Sequence, residues 1–271
     1  MTTALYTHED CFDHVTPAGH PEQVARLDAV LSALEGLPLS RCVAPLAADD
    51  DILLAHPARH LQAIKDAAPE AGWKQLDADT YMSSGSLSAA FRAVGSAVRA
   101  VDQVLDGTYQ NAFVATRPPG HHAERETPMG FCLFGNIAIA AKHALERHGL
   151  QRVAIIDFDV HHGNGTQDLV DGDDRILFIS SHQVPLYPGS GDPRDNVLSD
   201  NIQNFALRDG DGGAAFRKLY EREVFPRVTN FAPELILVSA GFDAHAADLL
   251  AGLQLVEDDF RWVTEKICDL A

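Results

Sequence analysis

Residues 153–156 read Val-Ala-Ile-Ile, an apolar, largely β-branched run with no polar face. A strand of that kind has to be covered on both sides, which places it inside a parallel sheet with helices above and below. It has several companions. Strands are expected at Ala4–Thr7, Cys42–Pro45, Asn111–Thr116, Arg152–Asp157, Arg175–Ser180, Ile202–Leu207 and Glu234–Ser239. Helices are expected at Pro21–Leu34, Pro57–Ala67, Ser86–Leu105, Asn136–Arg147, Gly212–Val228 and Glu257–Leu270. In the longest of these Ala90, Val94, Ala97, Val101 and Val104 keep a helical apolar period. Strands alternating with helices predict an α/β fold built on a parallel sheet. The 271 residues carry no linker, charge block or internal repeat, so one domain over 1–271 is expected.

Open α/β sheets place their ligands beyond the carboxyl ends of the strands. Three such ends carry chemistry. After Ile156 comes Asp157-Phe158-Asp159-Val160-His161-His162-Gly163-Asn164-Gly165-Thr166. If the chain stays extended, Asp157, Asp159 and His161 point to one side, and two carboxylates with an imidazole form a metal site. The alternative is that they are ordinary turn and cap residues, since Asn164-Gly165 alone is only a turn signal. After Thr116 comes Arg117-Pro118-Pro119-Gly120-His121-His122, either a rigid loop delivering two imidazoles suited to proton transfer near neutral pH or a surface loop with ordinary histidines. After Ser239 comes Ala240-Gly241-Phe242-Asp243-Ala244-His245, where Asp243 is either a further metal ligand or a cap.

Composition narrows the partners. With 21 Lys and Arg against 39 Asp and Glu, the net charge of −18 argues against nucleic acid and favours cationic ligands. The four cysteines (Cys11, Cys42, Cys132, Cys268) show no CxxC pair and no regular spacing, which argues against both a zinc ribbon and a disulfide scaffold. No apolar run is long enough to span a bilayer and Met1-Thr2-Thr3 opens no signal peptide, so a reducing cytoplasm is the expected location and no membrane partner is expected. Homo-oligomerisation is left open.

Taken in order, Gly19-His20-Pro21-Glu22, RPPGHH at 117–122, GFCLF at 130–134, DFDVHHGNGTQ at 157–167 and SAGFDAH at 239–245 resemble the zinc-dependent histone deacetylase superfamily. The branch most resembled is the class II-like group of bacterial deacetylase-like amidohydrolases and acetylpolyamine amidohydrolases. The resemblance implies a three-layer arginase/deacetylase fold with a single eight-stranded parallel sheet. It implies zinc held by Asp159, His161 and Asp243, with a coordination position open to water and a substrate carbonyl. His121 and His122 match the paired active-site histidines. Asp157 matches the carboxylate that orients the first, and Asn164 matches the partner of the second. In the class I branch that last position is Asp, so Asn164 favours class II. Phe131, preceded by Gly130, matches one wall of a narrow tunnel for an acylated amine chain, while the second wall in Ser181–Tyr187 is not identifiable. The main-chain carbonyls of Asp157, Asp159 and His161, with Ser180, match a structural potassium site. Zinc would polarise the acyl carbonyl and its bound water, and a histidine would take the water proton and return it to the leaving amine.

Two departures qualify this. Relatives stabilise the oxyanion with the tyrosine of a Gly-Gly-Tyr motif at the end of an eighth strand, which lies between the third and seventh. No Gly-Gly-Tyr occurs here, and Tyr6, Tyr81, Tyr109, Tyr187 and Tyr220 all precede the seventh strand. The expectation is therefore a sequence truncated at its C-terminus, or a catalytically weak zinc-dependent module that binds acylated amines. Gly135 also stands where relatives usually carry Asn. An arginase-like ureohydrolase is disfavoured, because the Asp-Phe-Asp-Val-His order lacks the carboxylates of a two-manganese cluster.

Overall fold

The strands pair as three separate sheets, and not as the single sheet expected from the resemblance. This is a computed structural model that describes residues 2–194 and 199–271. Its backbone falls into two compact units, 1–148 and 149–271. The first runs through β1 (Thr3–Thr7), α1 (Ala25–Ala33), β2 (Leu39–Val43), α2 (Asp49–Ile52), α3 (Ala58–Ala67), β3 (Trp73–Gln75), β4 (Tyr81–Ser83), α4 (Ser86–Leu105), β5 (Asn111–Val114) and α5 (Asn136–His148). The second comprises β6 (Val153–Asp157), α6 (Asn164–Val170), β7 (Ile176–Gln183), β8 (Ile202–Leu207), α7 (Gly213–Leu219), α8 (Phe225–Phe231), β9 (Leu235–Ser239) and α9 (Glu257–Leu270).

In the first unit β1 lies between β2 and β5, parallel to both. Leu5, Cys11, Leu27 and Ala115 are buried together around that sheet. In the second unit the order is β8-β7-β6-β9, all parallel. Every residue of β6 and β7 is buried, as the Val-Ala-Ile-Ile run requires. Ile156, Phe158, Leu177 and Ile179 pack with Phe216, Tyr220, Val228, Phe260, Val263 and Ile267 from the helices. Among the described residues β5 and β9 each pair on one side only, and β9 is half-buried throughout.

Several boundaries differ from expectation for identifiable reasons. The first helix starts at Ala25, four residues later than Pro21, because Glu22 is committed elsewhere. Its carbonyl accepts from the Thr16 hydroxyl at 2.6 Å and its side chain is fully buried. β2 begins at Leu39, in register with Thr3, and stops at Val43, short of Pro45. The hairpin β3–β4 has only three residues a side, too few to show a period. α6 was hidden by the Gly163 and Gly165 that flank its first residue. The expected helix over 212–228 is interrupted by a π-helical turn at Tyr220–Val224, where the Phe225 N–H reaches back to Tyr220 O. That wide turn immediately precedes Pro226, which has no N–H to continue a regular ladder.

Candidate metal centre and its loops

β6 and β9 are neighbours in register, Asp157 opposite Ser239, so the loops leaving them start at the same level. The first carries Asp159 and His161, the second Asp243. His161 Nδ1 lies 3.1 Å from Asp159 Oδ1 and 3.0 Å from Asp243 Oδ2. Main-chain donors fix the carboxylates: Val160 N–H donates to Asp243 Oδ1 at 3.0 Å and His161 N–H to Asp159 Oδ1 at 2.8 Å. Gly241 is required for the approach, because a methyl group there would overlap the Asp159 carboxylate.

The extended-chain rationale for Asp157 needs correcting. β6 ends at Asp157 and the chain then bends, and the cluster of ligand-type groups comprises Asp159, His161 and Asp243 without Asp157. It is fully buried, with its Oδ1 accepting the Asp159 N–H at 3.1 Å. The third ligand-type group of the cluster comes from the loop after β9, as Asp243.

Electrostatics test whether a cation fits. Burial pushes the His161 imidazole down, yet hydrogen bonds and charge from Asp159 and Asp243 outweigh it and raise the group to about 10. Asp243 is raised by burial and by the nearby Asp159 charge. Two half-buried carboxylates thus favour positive charge between them, as a cation-binding cluster requires. One nitrogen and two carboxylate donors form a set suited to zinc.

Other residues of this unit adjoin the cluster. Tyr187, which the sequence left unassigned, sets its ring edge-on to His161 with centroids 6.2 Å apart and is 38% exposed. Its only sequence signal was an aromatic just before Pro188-Gly189. Asn164 opens α6, buried, and donates its N–H to His162 O at 2.8 Å. Ser180 lies opposite Asp157 in β7, fully buried, with its hydroxyl 2.9 Å from His182 Nδ1. The neighbouring Ser181 hydroxyl donates to Asp157 O at 3.5 Å.

In the first unit, the rings of His121 and His122 stand 3.9 Å apart, and His122 is 4% exposed. The His122 N–H donates to Cys132 Sγ at 3.5 Å. Gly130 packs its backbone directly on the His122 ring, with φ +53° and no room for a methyl group. Phe131 follows at φ +70°, a left-handed conformation uncommon outside glycine. It is held there by its N–H donating to Thr80 Oγ1 at 3.0 Å and by the edge of His20 at 4.9 Å.

The base of the histidine loop is anchored by groups to which the sequence attached no role. Arg117 donates Nε and Nη2 to the Glu22 carboxylate at 2.5 and 2.6 Å, and Nη1 to Cys11 O at 3.1 Å. His14 Nε2 lies 3.2 Å from the same carboxylate. Burial raises Glu22, but His14 and Arg117 prevail and hold it down at about 2. Gly135 donates its N–H to His56 Nε2 at 2.9 Å. His56 stacks on His60 at 4.5 Å, and burial foremost lowers it to about 4.

Comparison with known proteins agrees with the motif order. The family model for the histone deacetylase domain matches residues 20–271. An uncharacterized protein of Synechocystis is 41% identical, over 100% of this chain and 90% of its own length. A histone deacetylase-like amidohydrolase of Pseudomonas aeruginosa is 41% identical, over 94% of this chain and 69% of its own length. The crystal structure of the HDA15 HD domain superposes with a TM-score of 0.94 at 29% identity, covering 100% of this chain and 81% of that one. The fold is thus of the arginase/deacetylase kind, although its strands pair as three sheets. On this coverage the chain belongs to the zinc-dependent histone deacetylase superfamily, in its class II-like branch.

Proposed function

We propose that the chain is a zinc-dependent amidohydrolase that removes an acyl group, typically acetyl, from an acylated amine such as acetyl-lysine or an acetylpolyamine. Family membership supports a deacetylase-like amidohydrolase activity on acylated amines. The observation that carries the zinc reading is the convergence of Asp159, His161 and Asp243, with two carboxylates sharing one imidazole nitrogen. Bound there, zinc would supply a Lewis acid for the acyl carbonyl and a water that ionises near neutral pH. His121 and His122 take the water proton and deliver it to the leaving amine, the part the family gives these positions. Asp157 and Asn164 keep the family's orienting roles toward those histidines. Gly130 and Phe131 form one wall of the substrate channel, and the Tyr187 ring beside His161 is a further aromatic next to the metal cluster. The carbonyls of Asp157, Asp159 and His161 with Ser180 would hold potassium, whose charge would offset nearby carbonyl dipoles. The net charge of −18 favours a cationic substrate.

The test pairs metal analysis with kinetics. Purified protein is expected to hold zinc at the Asp159 centre and to lose hydrolysis on chelation. His122→Ala is expected to lower kcat by about 10²–10⁴-fold with little change in KM, because its role lies in the transition state. Competing acetyl-lysine peptides with acetylated polyamines ranks the two substrates. Tight binding of both without turnover would replace this reading with that of an acyl-amine binding module, and a two-manganese centre would overturn the family chemistry altogether.

A further inference from the structure

A second group of metal-competent side chains lies in the first unit, and none of its members belongs to the machinery proposed above. Asp102 from α4 presents Oδ1 to His143 Nε2 and to His148 Nε2, both from α5, at 2.7 Å each. The two imidazole rings stand edge to face with centroids 5.4 Å apart. The three ligand atoms lie within 4.8 Å of one another. His143 is buried, whereas the side chains of Asp102 and His148 are 28% exposed, so the cluster opens to solvent on one side. Burial raises the Asp102 carboxyl, but hydrogen bonds from the two histidines outweigh it and leave it lowered, so it is ionised and available as a ligand.

We propose that Asp102, His143 and His148 form an outer binding site for a borderline transition-metal ion such as zinc. The chemistry selects the class: two imidazoles and one carboxylate suit zinc, cobalt or nickel, whereas calcium and magnesium prefer all-oxygen shells. Around zinc, bonds of roughly 2.0–2.2 Å put neighbouring ligand atoms of a tetrahedron about 3.3 Å apart. The present 2.7 Å spacings therefore have to open slightly, which His148, the last residue of α5, can allow. Solvent completes the shell on the exposed side. Two features limit affinity. Arg99 Nη1 stands 3.9 Å from Asp102 Oδ2, a competing positive charge. His143 Nδ1 is buried without a hydrogen-bond partner, whereas metal-bound histidines nearly always donate through their other nitrogen. Lacking that support typically weakens a site by about 10–100-fold, so this one is the weaker of the two in the chain.

The test is equilibrium dialysis of the full chain against zinc at fixed micromolar free concentrations, with metal content read by mass spectrometry. Wild type is expected to take two equivalents, a tight one and a weaker one. His148→Ala and Asp102→Asn should each lose only the weaker, by tenfold or more in affinity, with hydrolysis unchanged. Asp243→Asn should lose only the tight one. Should His148→Ala lose one equivalent while Asp243→Asn loses none, the outer site stands and the metal centre proposed above falls. If both outer variants keep the wild-type stoichiometry and affinities, or if wild type takes a single equivalent that Asp243→Asn abolishes, the outer site does not exist.

Discussion

Replacing Glu22 by Gln should destabilise the unit that carries the histidine loop, and the structure sets both the size and the pH dependence of the loss. The Glu22 carboxylate is fully buried and accepts two hydrogen bonds from Arg117, itself only 4% exposed. Gln keeps the volume but turns an amide N–H₂ or a neutral oxygen toward a guanidinium that remains charged. Stranding one member of a buried ion pair costs about 3–5 kcal/mol. Proton linkage gives an independent figure: a carboxyl held at about 2 in the fold against its ordinary 4.5 contributes about 3 kcal/mol when ionised, at ~1.4 kcal/mol per pH unit. Because the folded value is the lower one, that stability is complete above pH 4.5 and drains away as pH falls toward 2. Thermal unfolding followed by circular dichroism should place Glu22→Gln about 6–20 °C below wild type at pH 7, at ~2–4 °C per kcal/mol. The gap should shrink between pH 4.5 and 2, where only wild type titrates at this position. A variant within 1 °C of wild type at pH 7, or a gap that does not change with pH, would refute the claim that this ion pair holds the loop.

Gly130→Ala should place a methyl group on the His122 ring at φ +53°, costing about 1–3 kcal/mol of overpacking. We expect kcat to fall more than stability does, and equal losses in kcat and folded fraction would contradict a local effect. Metal binding at the Asp159 centre must displace the proton that His161 holds at about 10. At pH 7, below that value, zinc binding should release about one proton, measurable by calorimetry in buffers of different ionisation enthalpy. Zero release would mean that His161 is not a ligand. His56 is neutral in the fold at about 4, against 6.5 when free, so stability should decline as pH falls from 6.5 to 4. Protonating Nε2 there breaks the hydrogen bond from Gly135. His56→Phe should lack that part of the acid transition, although it starts less stable.

Strand and helix types were legible in the sequence because each is set by a local period: Val153–Ile156 could only be a buried strand and Ala90–Val104 only an amphipathic helix. The reactive residue types and their place at strand ends were legible for the same reason, since a few neighbouring residues encode them. What local periods do not encode is which distant segments become neighbours. The pairing of β6 with β9 brings Asp243 to Asp159 across more than eighty residues, with Asp157 buried and outside that cluster. The same holds for Glu22 with Arg117, for Thr80 and His20 holding Phe131 in a left-handed conformation, and for Asp102 meeting two histidines of another helix. The division of the strands among three sheets likewise depends on which backbone edges meet. The sequence by itself determined the elements and the chemistry available at their ends, and tertiary packing decided which of those groups meet, because hydrogen bonds and charge act over a few ångströms in space irrespective of distance along the chain.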